Sequence, residues 1–301
     1  MNKNPLVSIL LNNYNYGRFL TEAIDSALNQ TYSNIEVIVV DDGSTDNSSN
    51  IIKAYGERII PILKPNGGQA SAFNAGFAAS HGEIICFLDS DDIFKPNKAE
   101  EIVNIFVVHQ DIGWCFHPLE FLNEKSEEII KENYTGLSDK YDISYDIQRG
   151  KIKGKLPISG TATSGVCFNR SLLEKILPMP EEINITSDDY IKYTALGISS
   201  GFVLLKELSC QRIHANNAYT FGKKYRLGAK IQILTAYWMK NNFPILSKFT
   251  NNLLALGISM YWRHGGIEKE YQKLVRNYLS SAKPSEILGI YAKAFYLRLK
   301  P

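Results

Sequence analysis

The stretch Ile84-Ile85-Cys86-Phe87-Leu88-Asp89-Ser90-Asp91-Asp92 decides the fold. An unbroken apolar run ends in three carboxylates within four positions. Short apolar runs of this kind are what strands covered on both faces look like. Acids directly behind such a strand lie at its carboxyl end, where open α/β sheets bind ligands. The same arrangement recurs upstream. Residues 35–40 form a second strand, β-branched through its core, which ends in Asp41-Asp42-Gly43-Ser44. Residues 6–11 form another, ending in Asn12-Asn13-Tyr14. Between them, residues 19–30 repeat their apolar positions at helical spacing, with Leu20, Ala23, Ile24, Ala27 and Leu28 on one face. A helix through Ile51, Ile52 and Tyr55, capped by Asp46 or Ser44, then a strand over 59–63 and a helix over 70–79 complete the alternation. The pattern predicts a doubly wound, mostly parallel α/β sheet whose three polar strand ends face one crevice.

Beyond this half the pattern loosens. Residues 114–160, with a polar stretch at 123–146, predict loops and short elements. Residues 161–168 predict a strand, Ser171 begins a helix, and Asp188-Asp189-Tyr190 opens another with Ile191, Thr194 and Ala195 inward. Residues 202–205 predict a last strand. From residue 221 the chain becomes helical and basic, with 14 Lys and Arg against 3 Asp and Glu, leaving 19 and 28 in the first 220 residues. Leu274, Tyr278, Ile287, Tyr291, Ala294, Phe295 and Arg298 mark amphipathic helices there. A basic tail on an acidic body suggests an anionic partner: a membrane surface, a phosphate-bearing acceptor or nucleic acid. The plain alternative is a solvated helical surface. No nucleic-acid module is recognisable, so nucleic acid is not the expected partner.

With 301 residues, 45% hydrophobic, the chain can bury a sizeable core. Cys86, Cys115, Cys167 and Cys210 show no C-x-x-C spacing, so neither a disulfide frame nor a cysteine zinc site is expected. Residues 1–5 do not resemble a secretory signal, and no stretch nears the ~20 apolar residues of a membrane span. The expected location is cytoplasmic, with association at a membrane surface as an option.

Asp89 and Asp91, two apart, can present carboxylates on one edge of a turn. Mg²⁺ or Mn²⁺ takes one or two such carboxylates together with substrate phosphates. The plain alternative is a turn with Asp at capping positions. A carboxylate in Asp41-Asp42-Gly43-Ser44-Thr45-Asp46 can accept from a base N–H or a ribose hydroxyl, unless it only builds an Asp-Gly turn. Tyr14 offers a face for stacking on a base, and the bare backbone of Gly67-Gly68-Gln69 allows close approach to a ligand. No G-x-G-x-x-G follows the first strand, which argues against a dehydrogenase. Aspartate phosphatases want Thr or Val after the second Asp of D-x-D, and Asp92 stands there.

Taken in order, these stretches resemble the family-two glycosyltransferases of GT-A fold, over roughly residues 5–217. The resemblance rests on Val7-Ser8-Ile9, Asn12-Asn13-Tyr14-Asn15, Gln30-Thr31-Tyr32, Val39-Val40-Asp41-Asp42-Gly43-Ser44-Thr45-Asp46, Asn66-Gly67-Gly68-Gln69 with Asn74-Ala75-Gly76, and Phe87-Leu88-Asp89-Ser90-Asp91-Asp92. It implies a Rossmann-like GT-A domain over 1–220, with a nucleotide-sugar half over about 1–112 and an acceptor half over 113–220. The basic helical extension takes 221–301. It further implies inverting, Mn²⁺- or Mg²⁺-dependent transfer from a nucleotide-sugar donor, usually a UDP-sugar. The acceptor would be a sugar or lipid-linked saccharide, in cell-surface polysaccharide or glycolipid assembly.

The implied roles follow residue by residue. Asn12 and Tyr14 line the base, Asp42 holds it, and Asn15, Gly68, Gln69 and Ser90 lie along the nucleotide. Asp89 is the ribose or metal-side acid and Asp91 the metal acid. Asp188-Asp189 replaces the usual Glu-Asp pair, with Asp189 matching the general base. That replacement leaves open which acid of the pair is the base. Gln211-Arg212-Ile213-His214-Ala215-Asn216-Asn217 matches a closing loop, with Arg212 toward the diphosphate and His214 toward the metal. Phe73 departs from the pattern, standing where many members have Arg. The lack of Gln-x-x-Arg-Trp argues against a processive enzyme. A catalytically silent nucleotide-sugar-binding subunit is the rival, and the Asp188-Asp189 pair counts against it. The tail has two candidate roles: docking on an anionic membrane, or a homodimer interface built from Tyr237, Trp238, Tyr261 and Trp262.

Overall fold

In chain order the elements are β1 (Val7–Asn13), α1 (Gly17–Leu28), β2 (Ile35–Asp41), α2 (Ser48–Ala54), β3 (Ile60–Leu63), α3 (Gln69–Ala79), β4 (Ile84–Asp89), β5 (Ile93–Phe94), α4 (Lys98–Val108), β6 (Trp114–Phe116), β7 (Glu120–Asn123), β8 (Ile129–Ile130), β9 (Asp139–Tyr141), α5 (Ser144–Gln148), β10 (Val166–Asn169), α6 (Arg170–Leu173), α7 (Asp188–Ile198), β11 (Gly201–Val203), β12 (Ser209–Ile213), α8 (Tyr225–Asn242), α9 (Ser247–Arg263), α10 (Lys269–Ser280) and α11 (Pro284–Leu299). They come from a computed structural model that describes residues 3–124, 128–130, 134, 136–151, 156–158, 161–214, 217 and 225–300. The chain divides into two units. The first comprises Met1–Asp142, Leu156–Asn184 and Ser199–Ala218, and the second Ile143–Lys155, Ile185–Ile198 and Tyr219–Pro301.

The first unit holds an eight-stranded sheet in the order β3-β2-β1-β4-β10-β6-β11-β9. Strands β3, β2, β1 and β4 are mutually parallel, as their apolar runs predict. β10 then runs antiparallel to both β4 and β6, so the sheet is mixed. Val7, Ile9, Leu11, Val37, Val39, Ile84, Cys86 and Leu88 bury one face against Leu20, Ala23, Ile24 and Ala27 of α1. The register sets Cys86 beside Cys167 and Cys167 beside Cys115, a row of buried thiols across three strands. A smaller sheet, β5-β12-β7-β8, carries the end of this unit.

The reading of 161–168 as one strand needs correction. Thr163–Gly165 form a single 3-10 turn, and the strand starts at Val166. The segment read as a closing loop begins as strand β12, whose backbone pairs with β7 on one side and, at its start, with β5 on the other.

The second unit is helical. α5 and α7, which lie before residue 220, join α8–α11 because their apolar residues are buried there. Tyr190, Ile191 and Ala195 of α7 are buried, and Tyr193 meets Phe249 at 5.3 Å between ring centroids. The Tyr190 hydroxyl accepts from Asn242 Nδ2 at 2.9 Å, and Gln148 Nε2 donates to the Gly197 carbonyl at 2.9 Å. The boundary expected at residues 220 and 221 lies outside the described residues. Tyr261, one of the four aromatics considered for a dimer interface, is fully buried within this unit near Tyr271. A buried ring cannot also cover a second chain, so that patch is corrected to the remaining three.

Candidate active site

The carboxyl ends of β1 and β4 meet in register, Asn12 beside Asp89. Asn12 Nδ2 donates to Asp89 Oδ1 at 3.0 Å, and the Asp89 amide donates to Ser164 Oγ at 3.0 Å. The Asp92 amide donates to the Asp89 carbonyl at 3.0 Å and closes a turn around buried Ser90. This turn sorts the three acids. Asp92 points into the protein, is 2% exposed, and its Oδ1 accepts from the Arg212 amide at 3.1 Å. Burial, with Asp91 and Asp89 close by, pushes its carboxyl well above the ordinary range. Asp91 instead has its Oδ2 3.0 Å from His214 Nε2 and 3.3 Å from Asn217 Nδ2.

His214 reaches Asp91 because β12 pairs with β5, directly after the acidic turn. Its side chain is wholly buried, with ring centroids of Phe19 at 4.9 Å and Tyr16 at 5.5 Å. Asn217 holds the bend by accepting from the His214 amide at 2.6 Å and donating to the Arg212 carbonyl at 3.0 Å. Ala215 and Asn216 lie outside the described residues. The Arg212 guanidinium lies 4.7 Å over the Phe19 ring and pairs with Glu22. Among the described residues no group of three or more acids, histidines or cysteines forms a ready-made metal cage. Asp91 with His214, beside Asp89, still fits a hard cation that brings phosphate oxygens as its other ligands.

Beneath the turn stands Lys98, which the sequence reading missed. It is wholly buried, and its ammonium donates to the Ser164 carbonyl at 2.6 Å and to Ser209 Oγ at 3.1 Å. It also lies 3.5 Å from the Phe94 ring centroid. Burial lowers its pKa, as desolvation disfavours the charged form. Lys98 thereby braces Ser164, which in turn holds the Asp89 amide. A lysine opening a helix ordinarily reads as exposed, so no local signal announces it.

At the end of β2 the two acids divide their work. Asp41 Oδ1 accepts from Asn13 Nδ2 at 2.7 Å and from Ser44 Oγ at 2.5 Å. Asp42 accepts from Lys64 Nζ at 2.5 Å, the Gly67 amide at 3.0 Å and the Gly68 amide at 2.7 Å. Asp42 thus anchors the glycine turn that opens α3, with both oxygens engaged. Lys64 also escaped the sequence reading. The register of Leu63 with Asp41 would have placed it there once the strand pairing was known. Asn15, at φ +60°, ties two loops through Oδ1, which accepts from the Thr45 amide at 2.7 Å. Tyr14 next to it is 47% exposed, its ring open to a planar ligand. The N-caps of α1 and α2 are Tyr16 and Asn47, not Asp46, which instead accepts from the first amide of each helix, Gly17 at 2.9 Å and Ser48 at 3.0 Å. Ser44, the other cap candidate, is bound to Asp41. Phe73, at the position expected for Arg, packs against Phe87 at 4.8 Å and contributes to the core.

Gly68 sits at φ +85°, and a Cβ there would lie 2.6 Å from Asn184 Cβ and 2.9 Å from its carbonyl oxygen. Gly68→Ala is expected to cost about 1–3 kcal/mol of stability through backbone strain and the clash. Urea unfolding tests this, and an unchanged midpoint would contradict the described turn.

Asp188 and Asp189 belong to the second unit, at the first turn of α7. Lys192 Nζ bridges them, 2.7 Å from Asp188 Oδ2 and 3.1 Å from Asp189 Oδ1. Burial pushes the Asp189 carboxyl up, opposed by the Lys192 ammonium.

Paired acids and an imidazole at the carboxyl edge of a mixed sheet, six of whose eight strands run the same way, set this chain among the open-sheet α/β proteins. The profile described as Glycosyl transferase family 2 matches residues 8–177. Glycosyltransferase GlyG of Streptococcus pneumoniae serotype 4 is 45% identical over 279 residues, 89% of this chain and 79% of that protein. The uncharacterized glycosyltransferase alr2836 of Nostoc sp. is 38% identical over 217 residues, 70% of this chain and 66% of that protein, just under two thirds of its length. The structure of S. aureus TarS 1-349 in complex with UDP-GlcNAc shares the fold, with a TM-score of 0.63 at 17% identity over 97% of this chain and 83% of that one. The chain belongs to glycosyl transferase family 2, and its first unit has the mixed sheet of the GT-A fold.

Proposed function

We propose that this protein transfers a sugar from a nucleoside-diphosphate sugar, first of all a UDP-sugar, to an acceptor hydroxyl with inversion at the anomeric carbon. The observation that carries this reading is the contact of Asp91 Oδ2 with His214 Nε2 at 3.0 Å, on the turn that also holds Asp89. Asp91, with Asp89 and His214, would hold Mn²⁺ or Mg²⁺. Such a cation supplies charge neutralisation for the departing diphosphate. Tyr14 stacks on the base. Asn12, Asn15, Ser90, Gln69 and the Asp42-anchored turn at Gly68 line the rest of the nucleotide. Arg212 exchanges Glu22 for the diphosphate. Asp189 takes the acceptor proton, within ~2.6–3.2 Å or through one water. Asp188 and Lys192 keep its carboxylate in place. Attack from the face opposite the diphosphate gives inversion.

S. aureus TarS forms a complex with UDP-GlcNAc, which makes that sugar nucleotide the first donor to screen here. The setting we propose is polysaccharide or glycolipid assembly at the cytoplasmic face of a membrane. No helix among the described residues is long and apolar enough to cross one. The test is calorimetric titration with UDP, GDP and CDP, with and without Mn²⁺. Metal-dependent binding of UDP is expected. A folded protein that binds no nucleotide would overturn the reading in favour of a scaffold.

A further inference from the structure

Helix α11 turns two unlike sides outward and inward. Inward, Ile290 and Ala294 are buried in the second unit. Trp262 stacks on Tyr291 at 6.1 Å with the rings 9° apart. The Arg263 guanidinium donates to the carbonyls of Leu297, Arg298 and Lys300, fixing the end of the helix. Outward, Leu288 is 73% exposed, Phe295 54%, Tyr296 64% and Leu299 67%. Leu288, Ala292, Phe295 and Leu299 follow one another at four, three and four residues, a single line along the helix. At 1.5 Å of rise per residue that line is about 16 Å long. Large apolar side chains scattered singly on a surface are ordinary, but a continuous row of them marks an interaction face.

The flanks of this row are basic. Lys293, Arg298 and Lys300 lie on the same helix and its end, and Lys283 precedes it. The few acids nearby are engaged: Glu268 lies 3.5 Å from Arg226, and Glu286 accepts from the Lys283 amide at 2.9 Å. The complementary partner is therefore apolar at its centre and anionic at its edge. A second copy of the face would answer the apolar row but would bring like charges together across a two-fold axis.

We propose that α11 lies in the interface of an anionic lipid membrane. Leu288, Phe295 and Leu299 enter the acyl boundary, while Lys293, Arg298 and Lys300 sit among the headgroups. This deepens the proposed setting by naming the surface that seats the enzyme. It rests on that setting for its purpose, and its test reads binding rather than transfer, so either can fail alone.

The test is flotation of the full chain with phosphatidylcholine vesicles, with and without phosphatidylglycerol. The protein is expected to float with the anionic vesicles at low salt, and about tenfold less with neutral vesicles or at high salt. The exposed-site variant L288S/F295S/L299S is expected to lose flotation by about tenfold or more, with its unfolding midpoint and UDP affinity unchanged. Absence of flotation at low salt overturns the proposal, as does a triple variant that floats like the parent. A dimer that the triple variant disperses, without vesicle binding by the parent, assigns the face to a second copy and overturns it equally.

Discussion

Asp91→Asn is expected to abolish metal-dependent binding of UDP and to lower transfer by at least about a thousandfold. The substitution keeps the volume of the side chain and removes only its charge. Asn can still meet His214 and Asn217 at the positions where Asp91 Oδ2 lies 3.0 and 3.3 Å away, so the fold should survive. What would disappear is an anionic oxygen for the proposed divalent cation. That interaction supplies several kcal/mol of charge stabilisation at the leaving group. At 1.36 kcal/mol per decade, about 4 kcal/mol corresponds to about a thousandfold in rate. Calorimetry with UDP and Mn²⁺ reads the binding, and a donor–acceptor assay reads the rate. Undiminished metal-dependent affinity in the variant would mean that the cation is held elsewhere.

Asp189→Asn should leave UDP affinity unchanged and lower kcat by about a hundred- to ten-thousandfold, the usual worth of a positioned base. The split between binding and turnover is the informative part. If UDP affinity falls with kcat, Asp189 belongs to donor binding and the assignment fails. Asp188→Asn in parallel decides which acid of the pair takes the proton. The pH profile adds a second readout. Burial raises the Asp189 carboxyl, while Lys192 opposes the rise. A base works only when ionised, so a raised pKa takes activity away from the acid side. The acid limb of kcat is therefore expected above the ordinary aspartate value of about 3.9. Lys192→Met removes the opposing ammonium and should move that limb higher still. A limb that stays in place would mean that another group titrates there.

Much of the first hundred residues could be read directly. Residues 35–40 and 84–88 are apolar enough to require burial on both sides, and their trailing acids then had to lie at one edge of the sheet. The second half resisted for identifiable reasons. Ser209, Cys210, Gln211 and Arg212 form a strand of mixed polarity in a small sheet, so hydrophobic periodicity had nothing to follow. α7 carries a plain helical pattern, but whether it packs with the preceding sheet or the following helices depends on partners such as Asn242 and Phe249. Lys98 illustrates the limit most clearly. Its burial depends on acceptors at Ser164 and Ser209, more than sixty residues away, and sequence spacing carries no trace of that meeting. Asp42 shows a different limit. Its residue type and position were legible, but not that Lys64, Gly67 and Gly68 already engage both its oxygens.

The meeting of Asp91 with His214 has a bearing on synthesis. The two residues are 123 positions apart, and the imidazole arrives only when β12 has paired with β5. A ribosome delivers the acidic turn early and the histidine much later. The family profile itself ends at residue 177, before that histidine is made. A chain cut before residue 214 would lack one of the cation's three proposed protein ligands. On the proposed reading, the cation site is complete only once β12 has been translated.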